Sequence, residues 1–279
     1  MKGMKKLLIL LMAVFLSAGL WGCQEGSGQS GSKDGQESVS SSQIPDYDGE
    51  MTIVLDNNEP DFDPDDLTEK SYESYSELDE EGRCQAAEAC VGKDIMPTED
   101  RGAIGMVKPT GWHTVKYDNV DGKYLYNRCH LIAFQLTGEN ANRKNLITGT
   151  RSFNVDGMLP YEEMVGDYVR ETGNHVLYRV TPVFEGDDLV AKGVQMEAMS
   201  VEDEGEDIEF NVFVYNVQDG IEIDYETGES RLSSEKEDTT EASSKEEEIR
   251  GNRRSKVYHC PGQRDYEKMA DSKNLVIFH

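Results

Sequence analysis

The sequence predicts an α+β fold built around an antiparallel sheet, and two observations carry the prediction. Residues 158–174, "MLPYEEMVGDYVRETGN", place apolar side chains at Met158, Tyr161, Met164, Val165, Tyr168 and Val169, which is helical spacing. Pro160 suits the first turn of that helix and Gly173 its stop. Three segments then alternate as strands do: "HVLYRVTPVF", "LVAKGVQMEAMSV" and "EFNVFVYNV", with "EGDD" as the turn between the first two. A loop-rich region, a helix and then a strand meander add up to an α+β domain.

The chain has 279 residues, enough for one sizeable domain with appendages. It opens with "MKGMKKLLILLMAVFLSAGLWGC": lysines, an apolar run, then small residues before a cysteine. That is the layout of an export signal. The apolar run over residues 7–16 is short for a membrane span. The ending "LWGC" resembles the bacterial lipobox, which implies a signal over residues 1–22 and lipidation of Cys23. Residues 24–43, "QEGSGQSGSKDGQESVSSSQ", are Ser/Gly-rich with Val39 as the one apolar residue, and read as a flexible tether. The expected location is the outer face of the bacterial cell membrane, with the plain secreted form as the alternative.

The folded domain is expected over residues 45–230. "TIVLDN" (52–57) reads as a strand and "DFDPDDL" as a turn-rich acidic stretch. The Ala-rich run in "ESYSELDEEGRCQAAEACVG" is ambiguous. "KPTGWHTVKYD" reads as a turn followed by a strand. "GKYLYNRCHLIAF" suits a strand leading to His130. Residues 231–250 are acidic and lack large apolar residues apart from the ends, which predicts a disordered linker. Residues 251–279 regain apolar residues but are too few to bury a core alone. They resemble the start of an Ada-like metal-binding module that stops short of its later cysteines, which leaves His259, Cys260 and His279 short of a four-ligand zinc site. Cys84 and Cys90, six apart, read as buried or free thiols, with pairing open outside the cell.

Net charge is −27, which ordinarily argues against nucleic acid as a partner. The average hides an island. Residues 101–151 carry eight bases (Arg101, Lys108, Lys116, Lys123, Arg128, Arg143, Lys144, Arg151) against three acids (Asp118, Asp121, Glu139). A basic island in an acidic chain is a candidate anion site, or else a solvated surface. Within it runs "YNRCHLIAFQLTGENANRKNLITGTRSFN" (126–154), with five Asn, three Arg and one His. A His among apolar residues is commonly structural, yet imidazole is the side chain best suited to take a proton near neutral pH. Asn is an uncommon core residue, and its amide oxygen is a neutral ligand for a Mg²⁺ that keeps most of its waters. Asn140 and Asn142, in "GENAN", read as turn caps. His113 and His175 read as structural, and Trp112 as core or as a lid over a groove.

This stretch, followed by "GMLPYEEMV", resembles the DNA/RNA non-specific endonucleases of the ββα-metal class, of the Gram-positive secreted and surface type. The likeness runs from about Asp56 to Ser230. The family motif Asp-Arg-Gly-His stands here as Asn127-Arg128-Cys129-His130. The resemblance implies His130 as general base, Asn154 as direct Mg²⁺ ligand and Glu162 holding metal-bound water, with Glu163 less suited because it points elsewhere on the helix. It implies Arg128 as the motif Arg, bracing the site or touching phosphate, and Asn145 as ordering the site around the phosphate. Arg143 and Arg151 are phosphate-contact candidates that sequence does not separate. The implied cofactor is Mg²⁺, with Mn²⁺ as a substitute, and the implied substrates are DNA and RNA. Two departures stand out: Asn127 for the motif Asp, and Cys129 for the motif Gly. They keep two rivals in play, an impaired nuclease fold that binds nucleic acid or a surface partner, and an adhesin-like or solute-binding lipoprotein.

Overall fold

The computed structural model describes residues 39–233 in full, and beyond them the backbone of three short strands. The export signal, Cys23, most of the tether, most of the acidic linker and the His259, Cys260 and His279 side chains lie outside the described residues. In chain order the strands are β1 (Thr52–Val54), β2 (Tyr72–Tyr75), β3 (Ala87–Val91) and β4 (Tyr126–His130). Then come helix α1 (Phe134–Thr137), β5 (Leu146–Thr150), helix α2 (Leu159–Thr172), β6 (Val176–Val183), β7 (Gly193–Ser200), β8 (Glu209–Tyr215), β9 (Ile221–Ile223) and β10 (Ser230–Leu232). Strands β11 (Ile249–Asn252), β12 (Tyr258–His259) and β13 (Leu275–Phe278) form a separate small antiparallel sheet.

The main sheet has the order β1-β8-β7-β6-β3-β2 and is antiparallel throughout. The expected helix and meander are α2 and β6–β8. Pro160 sits in the first turn of α2, and Gly173 ends it in the left-handed conformation at φ 78°. The ambiguous Ala-rich run is strand β3, paired with β2 on one side and β6 on the other, with Ala87 and Ala89 wholly buried on the core face. One expectation changes. "KPTGWHTVKYD" is not a strand. It is held by a single bridge, Lys116 to Tyr124, and by turns from Tyr117 to Lys123. Packing also starts earlier than residue 45: the Val39 amide donates to Gln195 Oε1, and Val39 and Ile44 pack on the sheet.

Both faces of the sheet are covered. One carries Tyr178, Val180, Met196, Ala198 and Val212 against Val165, Tyr168 and Val169 of α2 and Cys129, Leu131 and Ile147 of the β4–β5 hairpin. The other carries the Arg179–Glu197 ion pair, 2.9 Å, with Glu197 also accepting from the Asp61 amide. Burying these charges is tolerable because each is paired and hydrogen-bonded. The hairpin and α2 together form a ββα unit laid on the first face.

Candidate active site

The β4–β5 hairpin pairs His130 with Leu146 at one end and Tyr126 with Thr150 at the other. Its motif departures fit. Cys129 is an ordinary extended strand residue, fully buried. A Cβ on Gly149 would lie 2.5 Å from Cys129 Sγ and from the Phe153 ring. The glycine has in effect moved across the hairpin to make room for the thiol. Burial pushes the Cys129 thiol far above its ordinary range, so it is an inert packing group and not a nucleophile. Asn127 donates through Nδ2 to the Thr150 carbonyl.

The turn after His130 is set by Asn145. Its Oδ1 accepts from the Ile132 amide at 2.8 Å, and its Nδ2 donates to the Ile132 carbonyl at 3.0 Å. The side chain is wholly buried. That is the ordering role the resemblance implies. Both ends of the amide are consumed by backbone, so Asn145 shapes the site without touching a ligand.

His130 is 6% exposed. Its Nε2 donates to the Asn140 carbonyl at 2.8 Å, and a carbonyl only accepts, so the proton sits on Nε2 and the lone pair on Nδ1. Arg101 Nη2 reaches that Nδ1 at 3.3 Å. Burial lowers the His130 pKa to about 4; the Asn140 carbonyl opposes this and the Arg101 charge adds to it. The imidazole is therefore neutral at pH 7 with an oriented lone pair, which is the state a general base needs.

Glu162 comes from α2. Burial raises its pKa to about 8, with Arg101 opposing and Glu163 adding. Arg101 is thus the shared charge neighbour of His130, Cys129 and Glu162, which places all four groups together. Glu163 is exposed, as its helix position requires. Asn154 lies eight residues before Glu162, inside a π-helical turn, Phe153–Met158. The wider turn keeps positions 154 and 162 on one side of the continuous helix. The Asn154 amide makes no hydrogen bond with any described residue, so it is available to a ligand.

Of the two roles the resemblance implies for Arg128, its contacts are those of bracing. Its Nε donates to the Val107 carbonyl, its Nη2 donates to the Gly105 carbonyl at 3.1 Å, and its guanidinium lies 3.9 Å over the Trp112 ring. It clamps the strap that carries Arg101. Arg143 is exposed two residues before Asn145, at the His130 end of the hairpin, and its guanidinium makes no hydrogen bond with a described residue. Arg151 follows β5 at the other end, about 13 Å away along the strands, and pairs with Asp121 at 2.9 Å. The two arginines thus differ: Arg143 lies at the His130 end of the hairpin and Arg151 is engaged by Asp121.

Sequence reasoning missed Arg101 and Asn140 as site residues. The basic island contained Arg101, but only tertiary contact shows which of its eight charges meets His130. Asn142 caps its turn as expected, accepting from the Lys144 amide. Asn140 acts through its backbone carbonyl, which no side-chain pattern reveals. His113 contacts the Thr227 carbonyl and His175 pairs with Glu202, both away from the site. Cys84 and Cys90 are free, buried thiols donating to backbone carbonyls.

Comparison with known proteins agrees with this geometry. Residues 65–202 match the DNA/RNA non-specific endonuclease family. A 110-residue segment is 34% identical to a deoxyribonuclease of Streptococcus dysgalactiae subsp. equisimilis, covering 38% of this chain and 32% of that protein, so the chain spans about a third of the curated relative's length. The fold superposes on NucA from Streptococcus agalactiae with magnesium bound, at TM-score 0.58 and 29% identity, over 64% of this chain and 87% of the other. It also superposes on the Sda1 nuclease with bound zinc, at TM-score 0.54 and 26% identity, over 66% and 97%. The ββα unit and this family match converge on one conclusion: residues 65–202 form a DNA/RNA non-specific endonuclease domain, similar to those of the streptococcal nucleases.

Proposed function

We propose that this protein is a divalent-metal-dependent, sequence-non-specific endonuclease that hydrolyses phosphodiester bonds of DNA and RNA outside the cell, tethered to the membrane through Cys23. The observation that carries the reading is the neutral His130 whose Nδ1 lone pair meets Arg101 beside Glu162.

The donor set fits a hydrated Mg²⁺. Among the described residues no cluster of three His, Cys, Asp or Glu makes an all-protein cage. One unpaired amide, Asn154, with one carboxylate, Glu162, suits an ion that keeps most of its waters. Asn154 would hold it directly and Glu162 through a water. Bound there, it would supply Lewis acidity to the phosphorane and an acidic water for the leaving 3′ oxygen.

The chain's own groups do the rest. Arg101 takes a non-bridging phosphate oxygen, and passing its contact from Nδ1 to the phosphate frees the His130 lone pair. Nδ1 then takes a proton from a water whose oxygen bonds to phosphorus as the P–O3′ bond breaks. The Asn140 carbonyl keeps the tautomer fixed while imidazolium forms. Arg101 offsets charge that develops on the phosphate. Contacts to backbone phosphates carry no sequence information, which makes the activity non-specific overall. The export signal and the "LWGC" ending support the outer membrane face.

The test is incubation of the purified protein with supercoiled plasmid and with RNA, in Mg²⁺ or in EDTA. Metal-dependent cleavage that is lost in His130→Ala supports the reading. Intact substrate with retained binding sinks it in favour of a binding module. Fractionation of cells expressing Cys23→Ala tests the anchor: a variant as membrane-bound as the parent disproves lipidation.

A further inference from the structure

An open hollow of about 480 Å³ lies on the far side of Asn140 from His130. Ile95, Met96, Pro97 and Phe134 give it an apolar wall, and Glu99 and Asp100 add two exposed carboxylates. No Lys or Arg lines it. The cleft shares its walls with the catalytic centre. Asn140, whose carbonyl holds His130, lines it, as do Asp100 and Gly102, the two neighbours of Arg101. Asn140 Oδ1 has no hydrogen-bond partner but is closed off from the cleft surface, and the Asn140 amide packs tightly against Gly102.

These features exclude a phosphate. Two carboxylates with no cation repel an anion, and Arg101 offers the anion a better place next door. They suit the other half of a nucleotide. An aromatic ring and aliphatic side chains cover the faces of a base. The exposed Glu99 and Asp100 carboxylates accept from its exocyclic amino group. A nucleotide whose phosphate rests on Arg101 has its base within reach of the wall that Asp100 and Gly102 form.

We propose that this cleft is a nucleobase subsite. It receives, unstacked, the base of a nucleotide adjoining the scissile phosphate and favours the amino-bearing bases over thymine and uracil. The proposal rests on the endonuclease reading above. Because unstacking a base costs least in a single strand, the subsite also favours single-stranded substrate. The enzyme is then non-specific in the sense of having no recognition sequence, while carrying a one-position bias.

Two readouts test it. Full-length protein with Mg²⁺ is given a random-sequence single-stranded DNA pool, and product ends are sequenced. Thymine is expected to be depleted about fivefold at one position flanking the cut, and the bias to flatten in Glu99→Gln/Asp100→Asn. In EDTA, where nothing is cut, 2-aminopurine in an oligonucleotide should brighten on binding as it leaves the stack, and Phe134→Ala should weaken that signal. An even base distribution, or a bias unchanged in the double variant, overturns the subsite and leaves the nuclease reading standing. Absence of all cleavage with metal present overturns the nuclease reading instead. The cleft is then judged on the 2-aminopurine signal, and a failure to brighten overturns it.

Discussion

Arg101 Nη2 lies 3.3 Å from His130 Nδ1, on the ring nitrogen opposite the one held by the Asn140 carbonyl. The same guanidinium neighbours Glu162. One cation therefore touches His130 and offsets the charge of Glu162. Arg101→Ala should lower kcat/KM about 100-fold, the usual loss for one charge-stabilising donor. It should also raise the His130 pKa from about 4 while burial keeps it below its ordinary value. Steady-state kinetics and an NMR titration of the ring measure the two effects. Unchanged kinetics would remove Arg101 from the site.

Glu162 has a pKa of about 8 without metal, so it is mostly protonated at pH 7. A cation whose water it holds requires the carboxylate. Metal binding at pH 7 should release close to one proton, and metal affinity should rise with pH until about pH 8 and then level off. Titration calorimetry in buffers of different ionisation enthalpy counts the proton. Glu162→Gln should bind more weakly and release none. Asn154→Ala should weaken binding while leaving the pH slope intact. Full metal-dependent cleavage by Asn154→Ala would refute its role as ligand.

Asn145 clasps both backbone groups of Ile132. Asn145→Ala leaves a buried N–H and a buried carbonyl unpaired, at about 2–4 kcal/mol of stability. Asn145→Asp sets a carboxylate oxygen against the Ile132 carbonyl and buries a charge, so its loss should be at least as large at pH 7 and should shrink in acid as the carboxyl protonates and can donate. Urea unfolding measures both. A variant of undiminished stability that loses only activity would contradict the bracing role.

Cys129 and Gly149 form a complementary pair across the hairpin. Gly149→Ala should cost about 1–3 kcal/mol by overpacking. Adding Cys129→Gly should recover part of that, giving a non-zero coupling in a double-mutant cycle. Thiol reagents should leave Cys129 and activity untouched under native conditions, because burial holds the thiol protonated. Rapid labelling of Cys129, followed by mass spectrometry, would contradict the packing role.

Arg128 clamps the Gly105 and Val107 carbonyls and stacks on Trp112. Arg128→Ala should raise KM more than it lowers kcat, and hydrogen exchange over residues 98–107 should speed up. Arg128→Lys should rescue poorly, since an ammonium cannot bond two carbonyls in a fork and stack at once. A pure kcat loss with unchanged exchange would return Arg128 to the chemistry itself.

Much of this protein was legible in the chain because it depends on local order. The period of 3.6 around Val165 and the period of two from Val176 to Tyr215 gave α2 and the meander. The resemblance to a family motif singled out His130, Asn154 and Glu162 as candidates. Strand β3 was not legible, because "AEACV" has helix-compatible residues and becomes a strand only by pairing with β6. The expected strand after Gly111 failed for the opposite reason: suitable residues found no partner beyond one bridge.

The sequence by itself determined which chemical groups were present and in what order along the chain. Tertiary structure decided which of them meet. It sent Asn145 and Arg128 into the scaffold, because their polar atoms are consumed by backbone groups from distant segments. It tied Arg151 to Asp121 and left Arg143 unpaired. It brought Arg101, 29 residues upstream, onto the base. Charge and hydrogen-bond capacity are properties of a side chain, but their direction depends on neighbours that only folding supplies.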